Sequence, residues 1–98
     1  MSEQFEKGLK MRKEVLGEEY VDAALAKADD FNRDFQKLIT EYCWGGSWIR
    51  GVLSKQQRSI LNLGMLAALN RPHEFKLHFL GALTNGVSLA EIREILIQ

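Results

Sequence analysis

Asn70 to Gly86 read Asn-Arg-Pro-His-Glu-Phe-Lys-Leu-His-Phe-Leu-Gly-Ala-Leu-Thr-Asn-Gly, and this stretch predicts one complete helix. Pro72 suits the first helical position, because the N–H that proline lacks would have no partner there. Gly86 suits the residue just past the end, where a left-handed backbone costs glycine little. Apolar side chains cover most of the circumference between these ends, so we expect a well-buried helix; they are Phe75, Leu77, Phe79, Leu80 and Leu83.

The same helix carries both histidines of the chain, with a glutamate beside them. At about 100° per residue, Glu74 and His78 lie roughly 40° apart on one face, whereas His73 and His78 lie roughly 140° apart. Glu74 and His78 are therefore the best candidates for chemistry. Two simpler interpretations stay open, namely local helix support by an i,i+4 pair and a hydrogen-bonded core histidine. No metal site is predicted, because a metalloprotease helix spaces its two histidines four residues apart.

Composition limits the possible classes of protein. A length of 98 residues fits a single domain, 1–98, and one proline with few β-branched runs favours an all-α fold. Because 13 basic residues balance 13 acidic ones, neither nucleic acid nor an anionic membrane is an expected partner. No apolar run approaches the roughly 20 residues of a membrane span, and the start is too charged for a signal peptide. These features favour the cytoplasm.

Helical spacing and capping residues predict the elements of the first half. Ser2 caps a helix from about residue 3 to 16, and a short helix from about 18 to 27 follows Gly17. Asp29 or Asp30 caps a third helix, whose charged side is the ordinary solvated face. Its apolar residues recur at helical spacing and are Phe31, Phe35, Leu38, Ile39 and Tyr42.

The segment from Tyr42 to Gly51 places two tryptophans around a pair of glycines. We expect the glycines to break the helix and to let the backbone approach another helix or a ligand. Trp44 and Trp48 either anchor a turn or a subunit contact, or they wall an apolar pocket with Arg50 at its mouth. The lone cysteine in this segment excludes an internal disulfide, and we expect Cys43 to be buried and inert.

Three helices are predicted in the second half, and the Asn70–Gly86 helix is the middle one. Ser54 caps a helix from about 55 to 70, in which Gly64 and two alanines would admit a close neighbour. A two-residue joint then makes a tight hairpin with the Asn70–Gly86 helix. Ser88 and Glu91 form a capping box that opens the last helix, whose apolar stripe runs almost to the final residue without a stop signal. This end favours a protein that continues further, with a covering partner chain as the alternative.

With these segments placed, the sequence resembles the gamma-carboxymuconolactone decarboxylase family over nearly its whole length. The order and spacing of several short motifs carry the resemblance. They are Arg12-Lys13-Glu14-Val15-Leu16-Gly17, Asp30-Phe31-Asn32, Asp34-Phe35-Gln36, Trp44-Gly45-x-x-Trp48-x-Arg50, Arg58-Ser59-Ile60, Arg71-x-His73-Glu74-x-x-x-His78, Asn85-Gly86-Val87 and Glu91-Ile92-Arg93-Glu94.

The resemblance implies an all-helical fold of the alkylhydroperoxidase D-like type, assembled as a homo-oligomer, a trimer or hexamer. It also implies cofactor-free loss of CO2 from 4-carboxymuconolactone, which gives the enol-lactone of 3-oxoadipate in the protocatechuate branch of aromatic breakdown. The chain departs from the family at Gly46, often acidic there, and at Gly51-Val52 in place of Pro-Gly. Family members also continue through another helix, so the 1–98 domain would lack its C-terminal helix.

The chemistry of such a decarboxylation assigns roles to particular residues. The guanidinium groups of Arg50, Arg58 and Arg71 suit the carboxylates of the substrate, because they bind a carboxylate through two hydrogen bonds. His78, with Glu74 orienting it or sharing its proton, suits the return of a proton to carbon. The alternatives are a non-catalytic oligomerisation module of the same fold and a related lactone decarboxylase or hydrolase. No metal or organic cofactor is needed.

Overall fold

The computed structural model describes residues 2–98, and every regular element in this range is a helix, which confirms the all-α class. The chain divides after Val52 into two compact units, here called the N-terminal and C-terminal units. The single domain over 1–98 stays a prediction. The elements are α1 (Glu3–Leu16), α2 (Glu18–Ala26), α3 (Arg33–Ile39), a π-helix (Thr40–Trp48), α4 (Lys55–Ala68), α5 (Pro72–Thr84) and α6 (Leu89–Ile97).

Capping side chains set the helix ends that the sequence predicted best. The hydroxyl of Ser2 accepts the N–H of Phe5 at 3.0 Å, and α1 has the predicted bounds. Ser54 and Ser88 each form a reciprocal capping box with the residue three positions later. Pro72 opens α5, and Gly86 follows it with a φ of 91°, as predicted.

The N-terminal unit is built on the packing of α1 against the π-helix. The predicted break at the glycine pair is wrong, because the helix continues through Gly45 and Gly46 to Trp48. Gly45 instead lets α1 approach, since a Cβ atom there would collide with the backbone of Gln4. Gly8 has the same function on α1, where a Cβ atom would lie 2.6 Å from the nitrogen of Gly45. The close approach expected at these glycines is therefore made by another helix, α1, and not by a ligand.

The region before α3 differs from the prediction in two respects. Neither aspartate caps the helix, because the carboxylate of Asp29 instead accepts the N–H groups of Phe31 and Asn32 in the preceding turn, both at 3.0 Å. The predicted apolar face also lies outside the core, because α1 and the π-helix form that core without it. Its exposed members and their exposed fractions are Phe31 96%, Phe35 60%, Leu38 59% and Tyr42 72%.

The C-terminal unit has a core between α4, α5 and α6, formed by Leu63, Ala82, Val87 and Ile92. Two expectations about its packing are wrong. Helix α5 is only partly buried, since Leu80 and Leu83 are 58% and 39% exposed. Gly64 meets no neighbour, because a Cβ atom added there would lie in open space. Small residues permit a close approach, but they do not cause one.

Candidate active site

The α4–α5 hairpin positions the residues that the sequence marked for chemistry. Helix α4 ends at Ala68, and Asn70 turns the chain with a φ of 56°, a left-handed conformation that asparagine tolerates better than most residues. The N–H of Arg71 donates to the carbonyl of Leu66 at 3.0 Å, and α5 begins at the next residue. This tight link makes α4 and α5 antiparallel neighbours.

Polar side chains make contacts across the hairpin. The amide Nδ2 of Asn85 donates to the hydroxyl of Ser59, which is fully buried, at 2.9 Å. About one turn further along α4, Nδ2 of Asn62 lies 3.5 Å from Nδ1 of His78. His78 is thus held against α4 by a specific partner, in a helix pair whose other contacts are largely apolar.

His78 is half-buried, and burial lowers its pKa below the ordinary value of 6.5. The carboxylate of Glu74, one turn earlier on α5, acts in the opposite direction and raises that pKa. Burial is the larger effect, so the neutral ring predominates at neutral pH. His73, by contrast, is exposed. The predicted separation of the two histidines onto different faces is confirmed.

An open cleft of about 270 Å³ lies at the hairpin end of the same unit. Arg71 is the one charged side chain among the described residues that line it, and the other walls are mostly apolar. They are Leu66, Ala67, Asn70, Pro72, Phe75 and Leu96. A second cleft, beside α6, is lined by Glu91 and Glu94 as well as Arg93, so an anion would meet carboxylates there. The cleft at Arg71 therefore suits an anionic ligand better.

Among the residues that line this cleft, Phe75 is the nearest to His78 along the sequence. It lines the cleft, lies three residues before His78 on the same side of α5, and its ring centre is 6.4 Å from that of Phe79. Arg58 lies one helical turn before Asn62 on α4 and is half-buried. In the C-terminal unit, Arg71 thus precedes α5 as its N-cap residue, Glu74 and His78 lie on that helix, and Asn62 of α4 contacts His78.

The other predicted site residues belong to the N-terminal unit. Trp44 and Trp48 are buried and stacked, with ring centres 4.9 Å apart, and they pack with Val15 in the core. Arg50 is exposed just after the π-helix. Their proposed contact with substrate stays a prediction. Cys43 is also exposed, so the expectation that it is buried is wrong.

Asn62 was missed by the sequence reasoning, although a signal was present. It is the one polar side chain between Ser59 and Asn70, in a run that is otherwise Leu, Ile, Met, Ala and Gly. Such an isolated amide on an apolar helix usually has a partner, because an unpaired polar group is costly to bury. The identity of the partner depends on the register of α4 against α5, which the sequence does not show.

Residues 2–98 contain neither a metal-binding cluster nor a membrane-spanning helix. No three His, Cys, Asp or Glu side chains there lie close enough together to hold a metal ion. No helix of that range is long and apolar enough to cross a membrane.

Comparison with known proteins identifies the family of the chain. Residues 33–98, which include the whole hairpin, match the profile of the Carboxymuconolactone decarboxylase family. The chain belongs to this family. The resemblance inferred from the motifs is therefore confirmed.

Two relatives of known name cover almost all of the chain. Nitrosuccinic acid decarboxylase of Metarhizium robertsii is 49% identical over 90 residues, which are 92% of this chain and 63% of that protein. The 4-carboxymuconolactone decarboxylase of Acinetobacter baylyi is 37% identical over 95 residues, 97% of this chain and 71% of that protein. The chain is thus similar to two family members that are named for different substrates and are both longer than it.

Proposed function

We propose that this protein is a cofactor-free decarboxylase of a small dicarboxylic acid whose reacting carbon is joined to an electron-accepting group. The observation that carries the proposal is a partly buried histidine on α5, the helix whose first turn borders a mostly apolar cleft with one arginine. Membership in a family whose named relatives are decarboxylases supports it.

The reaction needs no cofactor when the substrate itself accepts the electrons. As the C–C bond breaks, its electron pair moves into the acceptor group and CO2 leaves. The resulting anion then takes one proton from water at carbon. In nitrosuccinate the acceptor is the nitro group, the intermediate is a nitronate, and the product is 3-nitropropanoate. In 4-carboxymuconolactone the acceptor is the lactone carbonyl, reached through the double bond.

Both substrates have a second carboxylate and develop negative charge on an acceptor oxygen. The guanidinium of Arg71 suits the second carboxylate, because a charged hydrogen bond is strong at the edge of an apolar cleft. The neutral imidazole of His78 suits the acceptor oxygen, since a positioned N–H stabilises charge that develops during the reaction. The exposed carboxylate of Glu74 lies one turn from the ring and can pass a proton from solvent toward it.

The choice between the substrates rests on the relatives. The protein named for nitrosuccinic acid shares 49% of aligned residues with this chain, against 37% for the one named for 4-carboxymuconolactone. This difference favours an α-nitro dicarboxylate as the first substrate to test. The lactone is the second candidate, because its named relative aligns with 97% of the chain.

An assay of CO2 release tests the proposal. The purified protein is mixed separately with nitrosuccinate, 4-carboxymuconolactone and succinate, which has two carboxylates but no acceptor. Because α-nitro acids lose CO2 slowly in water, each rate is compared with that of buffer alone and of heat-denatured protein. We expect acceleration for nitrosuccinate or the lactone and none for succinate. If nitrosuccinate and the lactone both lost CO2 no faster than in buffer alone, the result would support the non-catalytic helical module instead.

We further propose that the protein acts as a homo-oligomer, a trimer or hexamer. The apolar side chains exposed around α3, with Phe31 of the preceding turn 96% exposed and Tyr42 of the π-helix 72% exposed, are more than a small monomer usually leaves in water. Sedimentation at micromolar concentration should show a species larger than one chain, and a stable monomer would contradict this. A role in aromatic breakdown and a cytoplasmic location stay predictions.

A further inference from the structure

We propose that Asn70 is a second substrate-binding residue of the cleft at Arg71, and that its side-chain amide donates to the carboxylate that Arg71 binds. The inference rests on the proposed function for the identity of the ligand. Two observations carry it, namely the cleft that both residues line and the left-handed backbone of Asn70, whose φ is 56°.

Helices α4 and α5 end in the same backbone motif. In each, the residue just past the C-cap has a positive φ, which is 56° at Asn70 and 91° at Gly86. Its N–H donates to the carbonyl three residues earlier, and the next N–H donates to the carbonyl five residues earlier. All of these donor–acceptor distances lie between 2.9 and 3.2 Å. This is the Schellman motif, in which backbone groups alone close the end of a helix.

The residues at the two equivalent positions differ. Glycine adopts a left-handed backbone without steric cost, and at Gly86 it also leaves room for the side chain of Gln56. Asparagine tolerates this conformation better than most residues but less well than glycine. The turn therefore needs no side chain at Asn70, and glycine would hold it at least as well. The asparagine adds an amide at a position that lines the cleft.

The cleft offers a ligand the amide of Asn70 and the guanidinium of Arg71, among walls that are otherwise apolar. Within residues 2–98, no other side chain forms a hydrogen bond or an ion pair with either group. An amide without such a partner can rotate and turn its NH2 group toward an anion. Carboxylate oxygens only accept hydrogen bonds, so a bound carboxylate would select the NH2 side, while Arg71 supplies the positive charge.

The backbone at this turn does not decide the charge of the ligand. The C-terminal end of α4 carries a partial negative charge, and α5, which begins two residues after Asn70, carries a partial positive charge at its N-terminal end. These opposite charges lie close together, so their effects on an anion largely cancel. Binding therefore depends on the two side chains, and the hydrogen-bonded N–H groups of Asn70 and Arg71 fix the backbone from which they project.

The competing explanation is that Asn70 is present only because it tolerates the turn. Asn70→Gly separates the two explanations, because it keeps the backbone and removes the amide. This variant should fold as the wild type does, with a similar melting temperature. Asn70→Asp keeps a residue that tolerates the turn and replaces the NH2 donor with a carboxylate. Gln57→Glu is the control for added charge, because it preserves the capping box with Ser54 and lies about 20 Å along α4 from the cleft.

Binding of succinate tests the inference without turnover, since succinate has two carboxylates and no acceptor group. In nitrogen–proton NMR spectra of the ¹⁵N-labelled protein, the side-chain NH2 signals of Asn70 are assigned by their loss in Asn70→Gly. They should shift and saturate as succinate is added, and backbone signals of the cleft give the Kd of each variant. We expect Asn70→Gly to raise the Kd about tenfold, as for one hydrogen bond to a charged group. Asn70→Asp should raise it about a hundredfold or more, because it also repels the ligand. Gln57→Glu should leave it unchanged.

Failure of the inference and failure of the proposed function give different results. A wild-type protein without saturable succinate binding, or an Asn70→Gly variant with the wild-type Kd, would overturn the inference. If the Kd values behave as expected but no substrate loses CO2, the proposed decarboxylation fails and the binding pair stands. If CO2 is released, Asn70→Gly should raise KM about tenfold with little change in kcat. An unchanged KM in that variant would also overturn the inference and leave the decarboxylase intact.

Discussion

Two helix pairs of this protein are built in opposite ways. Between α1 and the π-helix, Gly8 and Gly45 remove side chains so that the backbones meet, and stacked tryptophans close the core. Between α4 and α5, side chains fill the space, and polar pairs such as Asn62–His78 lie among apolar residues. The first arrangement gives close packing, whereas the second leaves a titratable ring, that of His78, half-buried. We infer that chemistry belongs to the second.

Arg12 of the N-terminal unit is buried and His78 of the C-terminal unit is half-buried, and the two basic side chains differ in what they can do. Arg12 is 4% exposed, donates to the hydroxyl of Thr40 at 3.2 Å, and has its pKa lowered by burial. An arginine stays charged near pH 7 even so, because its ordinary pKa is far above neutrality. The ordinary pKa of histidine is near neutrality, so burial of His78 shifts its equilibrium further toward the neutral ring. Burial of a basic group therefore indicates chemistry only when the group can titrate.

Adding a methyl group at Gly8, where α1 packs against the π-helix, should have the largest effect on stability. In Gly8→Ala the new Cβ atom would collide with the carbonyl oxygen of Thr40 and the backbone of Gly45, so we expect a loss of about 3 kcal/mol in the free energy of unfolding. Gly64→Ala is the matched control, because its Cβ atom meets open space and alanine favours the helix. Urea unfolding of both variants checks this. Equal stabilities would mean that α1 and the π-helix are not in backbone contact.

Removing the positive charge of Arg71 from the cleft should affect substrate binding. Arg71→Gln is expected to raise KM by about tenfold to a hundredfold, since a hydrogen bond to a charged group contributes roughly 1.5–3 kcal/mol. Arg71→Lys should recover only part of this, because lysine cannot bind a carboxylate with two parallel hydrogen bonds. Steady-state kinetics with the better substrate provide the measurement. An unchanged KM in Arg71→Gln would place the substrate elsewhere.

The lowered pKa of His78 sets the direction of the pH dependence. If the neutral ring is the active form, kcat/KM should rise with pH, by about tenfold per pH unit, and level off above the pKa of the free protein. The midpoint of this rise should lie below the ordinary histidine pKa of 6.5, because burial outweighs the opposing effect of Glu74. A profile that instead falls above this pKa would show that the protonated ring is the active form, donating its proton to carbon.

The smallest effect is expected at the exposed cysteine of the N-terminal unit. Cys43→Ser should leave turnover unchanged, because the proposed reaction has no covalent step on sulfur and Cys43 lies on the surface of the close helix pair. The assay is CO2 release before and after treatment with a thiol-blocking reagent. A loss of activity with the fold intact would require a thiolate in the mechanism.

Local signals predicted the fold where the cause was itself local. Ser2, Ser54, Ser88 and Pro72 set helix ends through atoms within a few residues, and all four were predicted correctly. The functions of Gly45 and Gly64 depend on which helix lies opposite each glycine. The sequence therefore predicted a helix break at Gly45 and a helix contact at Gly64, and both predictions were wrong. The apolar face of α3 shows the same limit, because helical spacing indicates that a face exists but not what covers it.

The candidate site was likewise predictable only where its geometry depends on residues close together in sequence. The spacing of Glu74 and His78 along one helix placed them on a common face, and their electrostatic interaction agrees with this. Asn62 lies 16 residues away in sequence and meets His78 through the register of two helices. The pKa of His78 likewise depends on burial by the packed hairpin. Both properties arise from tertiary structure, which residue spacing does not determine.

The central claim is that His78 carries out the chemistry and that its neighbour in sequence, His73, does not. The most direct test is kcat for His78→Ala and His73→Ala on the better substrate, with circular dichroism to show that both variants fold. We predict that His78→Ala lowers kcat by about two to four powers of ten, the usual contribution of a positioned proton donor or acceptor. His73→Ala should stay near wild type, because that ring is exposed. Equal losses in both variants, or wild-type turnover in His78→Ala, would contradict the account.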